Sequence, residues 1–136
     1  MIHKLEQTAY YADTDSYGVV WHGTYLRWME QARVEFCRKL GIDLVSMKQN
    51  NVVIPVTNIN IRYKASAKID ETLVVESKIT KVSPITVTFN QVIKNKESEK
   101  VYTVADVEVV AVNEEGRIYR RMPEFLKNTC EQAMND

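Results

Sequence analysis

HGTYLRWMEQARVEFCRKLG, residues 22–41, is the stretch of the chain that decides its fold. Apolar residues recur in it at spacings of four, three, four and four, namely Tyr25, Met29, Ala32, Phe36 and Leu40. That spacing places them on one face of an α-helix. Arg38 and Lys39 suit the negative end of the helix dipole, and Gly41 suits the position just past a helix end. The segment therefore predicts a helix of about five turns from His22 to Leu40, with a broad face to bury.

Strand patterns dominate the rest of the chain. Alternation of apolar and polar side chains predicts strands over residues 72–82, 85–95 and 101–112. Residues 52–64 are rich in Val and Ile and predict another strand, and further strands are expected over residues 2–12 and 117–121. The charge-dense run from Lys94 to Lys100 reads as a hairpin turn, residues 44–51 as a short connection, and Pro123 as the opening of a last helix to about residue 134. One long helix followed by hairpins predicts an α+β fold, in which a curved antiparallel sheet buries the helix face.

Composition restricts the class of protein. A chain of 136 residues with 18 basic and 18 acidic side chains is one domain, residues 1–136, and has no net basic field for nonspecific nucleic-acid binding. Two cysteines and two histidines are too few for a disulfide framework or a multi-histidine metal site. Purely apolar runs reach only four residues, as at Val109–Val112, so no membrane span is expected. The N-terminus shows no targeting pattern, and we expect a cytoplasmic protein.

Chemistry-bearing side chains are concentrated just before the long helix. Residues 10–25 contain two acids, one histidine, four tyrosines and one tryptophan. A helix start presents unpaired N–H groups and a positive dipole end, which stabilise a carboxylate or polarise a carbonyl oxygen. That combination suits acyl transfer or hydrolysis. The alternative is structural: the acids cap turns, His22 forms an ordinary hydrogen bond, and Glu30 pairs with Arg33 one turn away.

The motif D-T-D-x-x-G-V-V-W-H at Asp13–His22, followed by E-x-A-R at Glu30–Arg33, resembles the opening signature of hotdog-fold thioesterases. The similarity is to the 4-hydroxybenzoyl-CoA thioesterase family and, within it, to the YbgC-like acyl-CoA thioesterases. It implies a hotdog fold, with a long central helix wrapped by a curved antiparallel sheet of about five to six strands. The chain departs from the family at Ile61–Ala67, where a Y-x-x-P-A turn often stands and this sequence has no proline.

The resemblance also implies roles for individual residues. Asp15 corresponds to the catalytic carboxylate, acting as nucleophile or as general base. His22 is the second catalytic position, since its backbone N–H is the expected oxyanion donor and its side chain orients water or the thioester. Asp13 is expected to hold the loop, and Glu30 is a weaker catalytic candidate. The expected substrate contacts are Tyr11, Gly18, Val20, Trp21 and Lys64.

The implied substrate is an acyl-CoA, with no metal and no bound cofactor. Its phosphates require basic side chains, for which the candidates are Arg62, Lys64, Arg120 and Arg121. The family pairs two sheets edge to edge, so a homodimer is the expected minimum and a homotetramer is an alternative. Two other functions stay open: a hotdog dehydratase or hydratase that uses His22 with Glu30, and a non-catalytic subunit that only binds acyl-CoA.

Overall fold

A computed structural model describes residues 1–136 and confirms the α+β class. The strands are β1 (His3–Thr8), β2 (Val56–Tyr63), β3 (Thr72–Val82), β4 (Thr86–Asn95) and β5 (Val101–Val110). The helices are α1 (His22–Lys39), α2 (Leu44–Gln49) and α3 (Glu124–Asn135), and a 3₁₀ turn covers Tyr11–Asp13. The strands form one antiparallel sheet in the order β1-β3-β4-β5-β2.

The core lies between α1 and one face of this sheet. Tyr25, Trp28, Met29, Ala32 and Phe36 of α1 are each at most 2% exposed. On the sheet side, every second residue of β4 is buried, which is the period of a strand with one covered face. Each large apolar side chain buried this way contributes about 1.5–3 kcal/mol. The predicted helix face is therefore confirmed as the centre of the core.

β5 is a central strand, and apolar residues lie on both of its faces. It lies between β4 and β2, and residues on both of its faces are buried. β2 is different because it forms the sheet edge and its residues are largely exposed. Val56, Ile59 and Tyr63 leave 40%, 40% and 42% of their surface open, so this edge carries apolar side chains that the chain itself does not cover.

The structure corrects five predictions about elements and their boundaries. β1 ends at Thr8, since the next residues turn into the 3₁₀ segment. β2 begins only after Pro55, which has no N–H to donate to a ladder. The connection at residues 44–51 contains α2, and residues 117–121 form only a single bridge between Ile118 and Val112. Pro123 is the cap residue of α3, one position before the predicted one. None of the three helices combines the length and the hydrophobicity of a membrane span.

Candidate active site

The loop before α1 folds back on itself in a tight turn. The Asp15 N–H donates to the Val19 carbonyl at 2.9 Å, and the Gly18 N–H donates to the Asp15 carbonyl at 3.0 Å. Gly18 adopts φ +78°, a left-handed conformation that glycine reaches without the cost a side chain would add. Thr14 and Val20 then pair as a bridge. The turn thus presents Asp15 on a short, closed loop in front of the helix.

Only one oxygen of the Asp15 carboxylate accepts a hydrogen bond from the chain. Its Oδ1 accepts a hydrogen bond from the Tyr17 N–H at 2.8 Å, so part of the turn-capping alternative is realised. The other oxygen, Oδ2, has no donor within the chain, and the side chain is half-buried. One carboxylate oxygen is therefore fixed by the turn while the other remains available to a reacting group.

Asp13, by contrast, is fully used in holding the loop. It is 6% exposed, and its Oδ2 accepts from the Tyr10 N–H at 2.9 Å. Its Oδ1 accepts from Arg27 Nη2 at 2.6 Å, and its carbonyl accepts from the Trp21 N–H at 2.9 Å. These bonds agree with the predicted loop-holding role of Asp13, and they give the two acids of the motif different hydrogen-bond environments.

The first turn of α1 offers two free donors. Trp21 is the N-cap residue, and its own N–H is consumed by Asp13. The Thr24 N–H bonds back to the Trp21 carbonyl at 2.9 Å. The N–H groups of His22 and Gly23 therefore donate to nothing in the chain, as expected for orphan donors of a first helical turn. Two adjacent amides at a positive dipole end form the type of site that stabilises an oxyanion.

Aromatic side chains surround this helix start. The Trp21 indole is half exposed and lies against Gly23, where a Cβ would come within 2.3 Å of the ring. The Trp21 and His22 rings are 5.0 Å apart. The Tyr63 hydroxyl donates to the His22 carbonyl at 2.9 Å, which ties the end of β2 to the start of α1. The exposed imidazole of His22 thus sits between two aromatic rings.

A second segment, residues 64–71, supports the loop from behind. The Val20 N–H donates to the Ala67 carbonyl at 2.9 Å, and Val19 pairs with Lys68. The Ala67 N–H donates to the Tyr25 hydroxyl at 2.9 Å, and burial raises the pKa of that tyrosine. The buried helix therefore fixes the supporting segment through a hydroxyl group.

Glu71 anchors the same segment and was not identified from the sequence. Its Oε2 accepts from the Lys68 N–H at 2.5 Å, and its Oε1 accepts from Asn95 Nδ2 at 2.9 Å and from the Tyr102 hydroxyl. Burial and this carboxylate raise the pKa of Tyr102 to about 12. The partners lie up to 31 residues apart, so no local motif could have indicated the network.

The remaining predicted contact residues are spread around the loop. Tyr11 is 83% exposed, and Lys64 is exposed just after β2. The Val20 side chain is 3% exposed and lies in the core, so only its backbone faces the loop. Glu30 is exposed on α1 and makes no ion pair with Arg33, so the predicted pairing alternative for these two residues is absent. No three side chains of His, Cys, Asp or Glu cluster in a way that could hold a metal ion.

Comparison with known proteins identifies the family. The model of the thioesterase superfamily matches residues 17–102. The acyl-CoA thioester hydrolase YbgC of Escherichia coli O6:H1 is 33% identical over 104 residues, 76% of this chain and 77% of that protein. The acyl-CoA thioesterase YbgC of Haemophilus influenzae is 36% identical over 83 residues, 60% of this chain and 61% of that protein.

Solved structures agree with the sequence relatives. The DHNA-CoA thioesterase from Staphylococcus aureus superposes with a TM-score of 0.87 at 29% identity, covering 98% of this chain and 93% of that one. The similarity spans nearly the whole length, including the long helix and the sheet. The predicted hotdog fold and the predicted family resemblance are both confirmed. The chain belongs to the thioesterase superfamily and is a thioester hydrolase.

Proposed function

We propose that the protein hydrolyses acyl-CoA thioesters to the free acid and CoA, with Asp15 as the catalytic carboxylate. One observation carries this proposal: a carboxylate with a free oxygen stands on a closed loop directly before two unpaired amides, those of His22 and Gly23. A thioester carbonyl placed between them would have a nucleophile or base on one side and oxyanion donors on the other. The YbgC relatives are named for this reaction.

Hydrolysis of the thioester can follow either of two routes. Asp15 Oδ2 attacks the thioester carbon and forms an anhydride that water then opens, or it removes a proton from a water molecule that attacks directly. In both, the carbonyl oxygen becomes an oxyanion that accepts hydrogen bonds from the amides. The C–S bond then breaks, CoA leaves as a thiolate that takes up a proton, and the acyl group leaves as a carboxylate.

Cationic side chains beside the loop support a nucleotide-bearing thiol as the leaving group. Arg62, Lys64 and Lys68 are exposed and form no ion pair within the chain. Lys68 pairs through its backbone with Val19, so it belongs to the same face as the Asp15 loop. Three free cations suit the phosphates of CoA. Lys68 was not among the basic residues chosen from the sequence.

The exposed β2 edge supports pairing of two copies. It offers eight residues of unpaired strand edge and uncovered apolar side chains beside the candidate site. Edge strands of this kind form templates for pairing with another chain. We infer that a second copy pairs along β2, as in the edge-to-edge dimer that the family resemblance implies, and places the site near the seam.

A thiol-release assay tests the proposed reaction. We expect release from acyl-CoAs, and a KM at least about tenfold higher for the same acyl group on pantetheine, which lacks the nucleotide phosphates. Substituting Lys64→Gln together with Lys68→Gln should raise KM for acyl-CoA while leaving KM for acyl-pantetheine unchanged. Absence of thiol release from every acyl-CoA would refute the proposal. Hydration of crotonyl-CoA without thiol release would favour the hydratase alternative.

A further inference from the structure

The hydroxyl group of Tyr25 lies where the long helix meets the segment behind the Asp15 loop. Tyr25 is 2% exposed and belongs to the start of α1. Its oxygen accepts a hydrogen bond from the Ala67 N–H at 2.9 Å, between residues 42 positions apart in the chain. Both residues are buried, so the amide would be left without an acceptor if the hydroxyl were removed. The bond is therefore a fixed attachment of this segment to α1.

Hydrogen bonds lead from this attachment to the Asp15 turn. The Ala67 carbonyl accepts the Val20 N–H at 2.9 Å, and the carbonyl of the adjacent Val19 accepts the Asp15 N–H at 2.9 Å. Each of these bonds joins backbone groups, so none depends on a side chain that could change rotamer. The position of the Tyr25 hydroxyl is thus passed to the backbone of Asp15 through two residues of the loop and one of the supporting segment.

The other end of the loop is attached to the same helix. The Asp13 carbonyl accepts the Trp21 N–H at 2.9 Å and the Thr24 hydroxyl at 3.1 Å. Asp15 therefore lies between two attachments to α1, one through Asp13 and one through Tyr25. The two free amides that suit an oxyanion belong to α1 itself, so these attachments set where the carboxylate stands relative to them.

Charges around the Tyr25 hydroxyl agree with this arrangement. Burial raises the pKa of Tyr25, the hydrogen bond from Ala67 opposes that rise, and Glu71, Tyr63 and Asp15 raise the pKa further. The Asp15 carboxylate thus lies close enough to act on the hydroxyl electrostatically, although the two residues share no hydrogen bond. The hydroxyl acts on Asp15 through the backbone and not by direct contact.

We propose that Tyr25 is a positioning residue of the thioesterase reaction, whose hydroxyl holds the Asp15 carboxylate in place against a carbonyl bound by the helix-start amides. The inference rests on the proposed function and deepens it, because it assigns a part in the reaction to a residue of the core. A displacement of about 1 Å in a reacting group can lower a rate about a hundredfold. Loss of the hydroxyl should therefore lower kcat far more than it changes KM.

A double-mutant cycle with Asp15 tests this role. Tyr25→Phe keeps the ring and should lower the thiol-release kcat at least about tenfold, with KM for the acyl-CoA changed less than about twofold. In the Asp15→Asn background the same substitution should change the residual kcat less than about twofold, because no carboxylate is left to position. A purely structural role would lower kcat by the same factor in both backgrounds. Tyr119→Phe removes another hydroxyl that joins distant segments, by its bond to the Asn51 carbonyl, and should keep wild-type kcat.

Amide hydrogen exchange followed by NMR tests the attachment without an activity assay. The N–H groups of Val20 and Asp15 do not contact the Tyr25 hydroxyl. Their protection should nevertheless fall at least about tenfold in Tyr25→Phe, because the opening of the turn becomes easier, and should stay unchanged in Tyr119→Phe. In the wild type, Ala67, Val20 and Asp15 should exchange with protection factors within about tenfold of one another, since one attachment holds all three.

The results separate this inference from the proposed function. Equal kcat factors in the two backgrounds, or wild-type protection of Val20 and Asp15 in Tyr25→Phe, would overturn the positioning role and leave the proposed function intact. If no thioester is cleaved, the proposed function fails, and hydrogen exchange alone decides whether Tyr25 holds the Asp15 turn. If Tyr25→Phe does not fold, the wild-type comparison decides: exchange at Asp15 and Val20 more than about a hundredfold faster than at Ala67 would contradict the proposal.

Discussion

At the residue scale, the start of α1 depends on the absence of one side chain. A Cβ on Gly23 would lie 2.3 Å from the Trp21 ring, so the indole occupies the space that any other residue would need. The atoms in conflict belong to the far end of the Trp21 side chain, which can swing away. The glycine therefore serves the placement of an aromatic ring beside His22, at a cost of about 1 kcal/mol in helix propensity relative to alanine.

Gly23→Ala should separate activity from stability. Because alanine favours the helix, the midpoint of urea unfolding should stay the same or rise, by up to about 1 kcal/mol in free energy. Because the indole must move, kcat/KM for an acyl-CoA should fall. Unfolding curves and thiol-release kinetics on the same preparation measure both. Wild-type kinetics in this variant would show that the Trp21 position does not matter.

The two aspartates of the motif show what could be predicted at this scale. The sequence placed both acids before the helix, and the loop-holding role of Asp13 followed from the family pattern. The free N–H of His22 was expected from its place at a helix start and from the family pattern, whereas the sequence could not show that the Asp13 carbonyl takes the neighbouring Trp21 N–H. Likewise, nothing in the spacing indicates that one oxygen of Asp15 caps its own turn.

At the scale of elements, β1 contains an unusual buried histidine. His3 is 5% exposed, stacks on Phe36 with ring centroids 5.4 Å apart, and has no hydrogen-bond partner on either ring nitrogen. Burial, followed by the charge of Lys39, lowers its pKa from the ordinary 6.5, against an opposing effect of Glu35. The folded protein thus favours neutral His3.

This histidine should make stability depend on pH in the acid range. Below pH 6.5, His3 of the unfolded chain takes up a proton, whereas folded His3 stays neutral down to its lowered pKa. The free energy of unfolding therefore decreases as the pH is lowered from 6.5 to that lowered pKa. The slope from one group is at most about 1.4 kcal/mol per pH unit. His3→Phe keeps the ring and should remove this contribution. Urea unfolding of both proteins between pH 7 and 5 measures the difference, and parallel profiles would contradict the prediction.

Long elements, in which buried apolar residues repeat several times, could be predicted from the sequence, whereas short elements could not. The helix from His22 was predicted to within one residue at its end, since five buried side chains repeat along it. α2 has six residues and none is buried, so it leaves no periodic signal. Residues 117–121 alternate like a strand, but only Ile118 pairs, because the adjacent turn leaves too little edge to extend the ladder.

At the scale of the whole molecule, the sheet ends in two edge strands, β1 and β2. The order β1-β3-β4-β5-β2 puts β2 at an end, with apolar side chains on the helix-facing side uncovered. The sequence could not show that the β2 edge borders the Asp15 loop. That proximity arises from the Tyr63–His22 hydrogen bond, which joins residues 41 positions apart.

Disruption of this edge should change the oligomeric state. We expect light scattering to give a mass of at least two chains for the wild type. Ile59→Lys places a charge at the proposed seam and should shift the mass toward a single chain. Ile85→Lys is a matched control, since Ile85 is 41% exposed against 40% for Ile59 but lies in the β3–β4 turn. A monomeric wild type, or equal masses for all three proteins, would contradict the proposed pairing.

The most direct measurement is the thiol-release kcat of Asp15→Asn beside that of Asp43→Asn. Both aspartates accept a hydrogen bond from the amide two residues on, at 2.8 Å and 3.1 Å, and asparagine can keep that bond in each case. Asp43 lies at the start of α2, outside the loop that precedes α1. We predict that Asp15→Asn lowers kcat at least about a hundredfold with the fold intact, while Asp43→Asn retains wild-type turnover. Near-normal turnover in Asp15→Asn would contradict the assignment of Asp15 as the catalytic carboxylate.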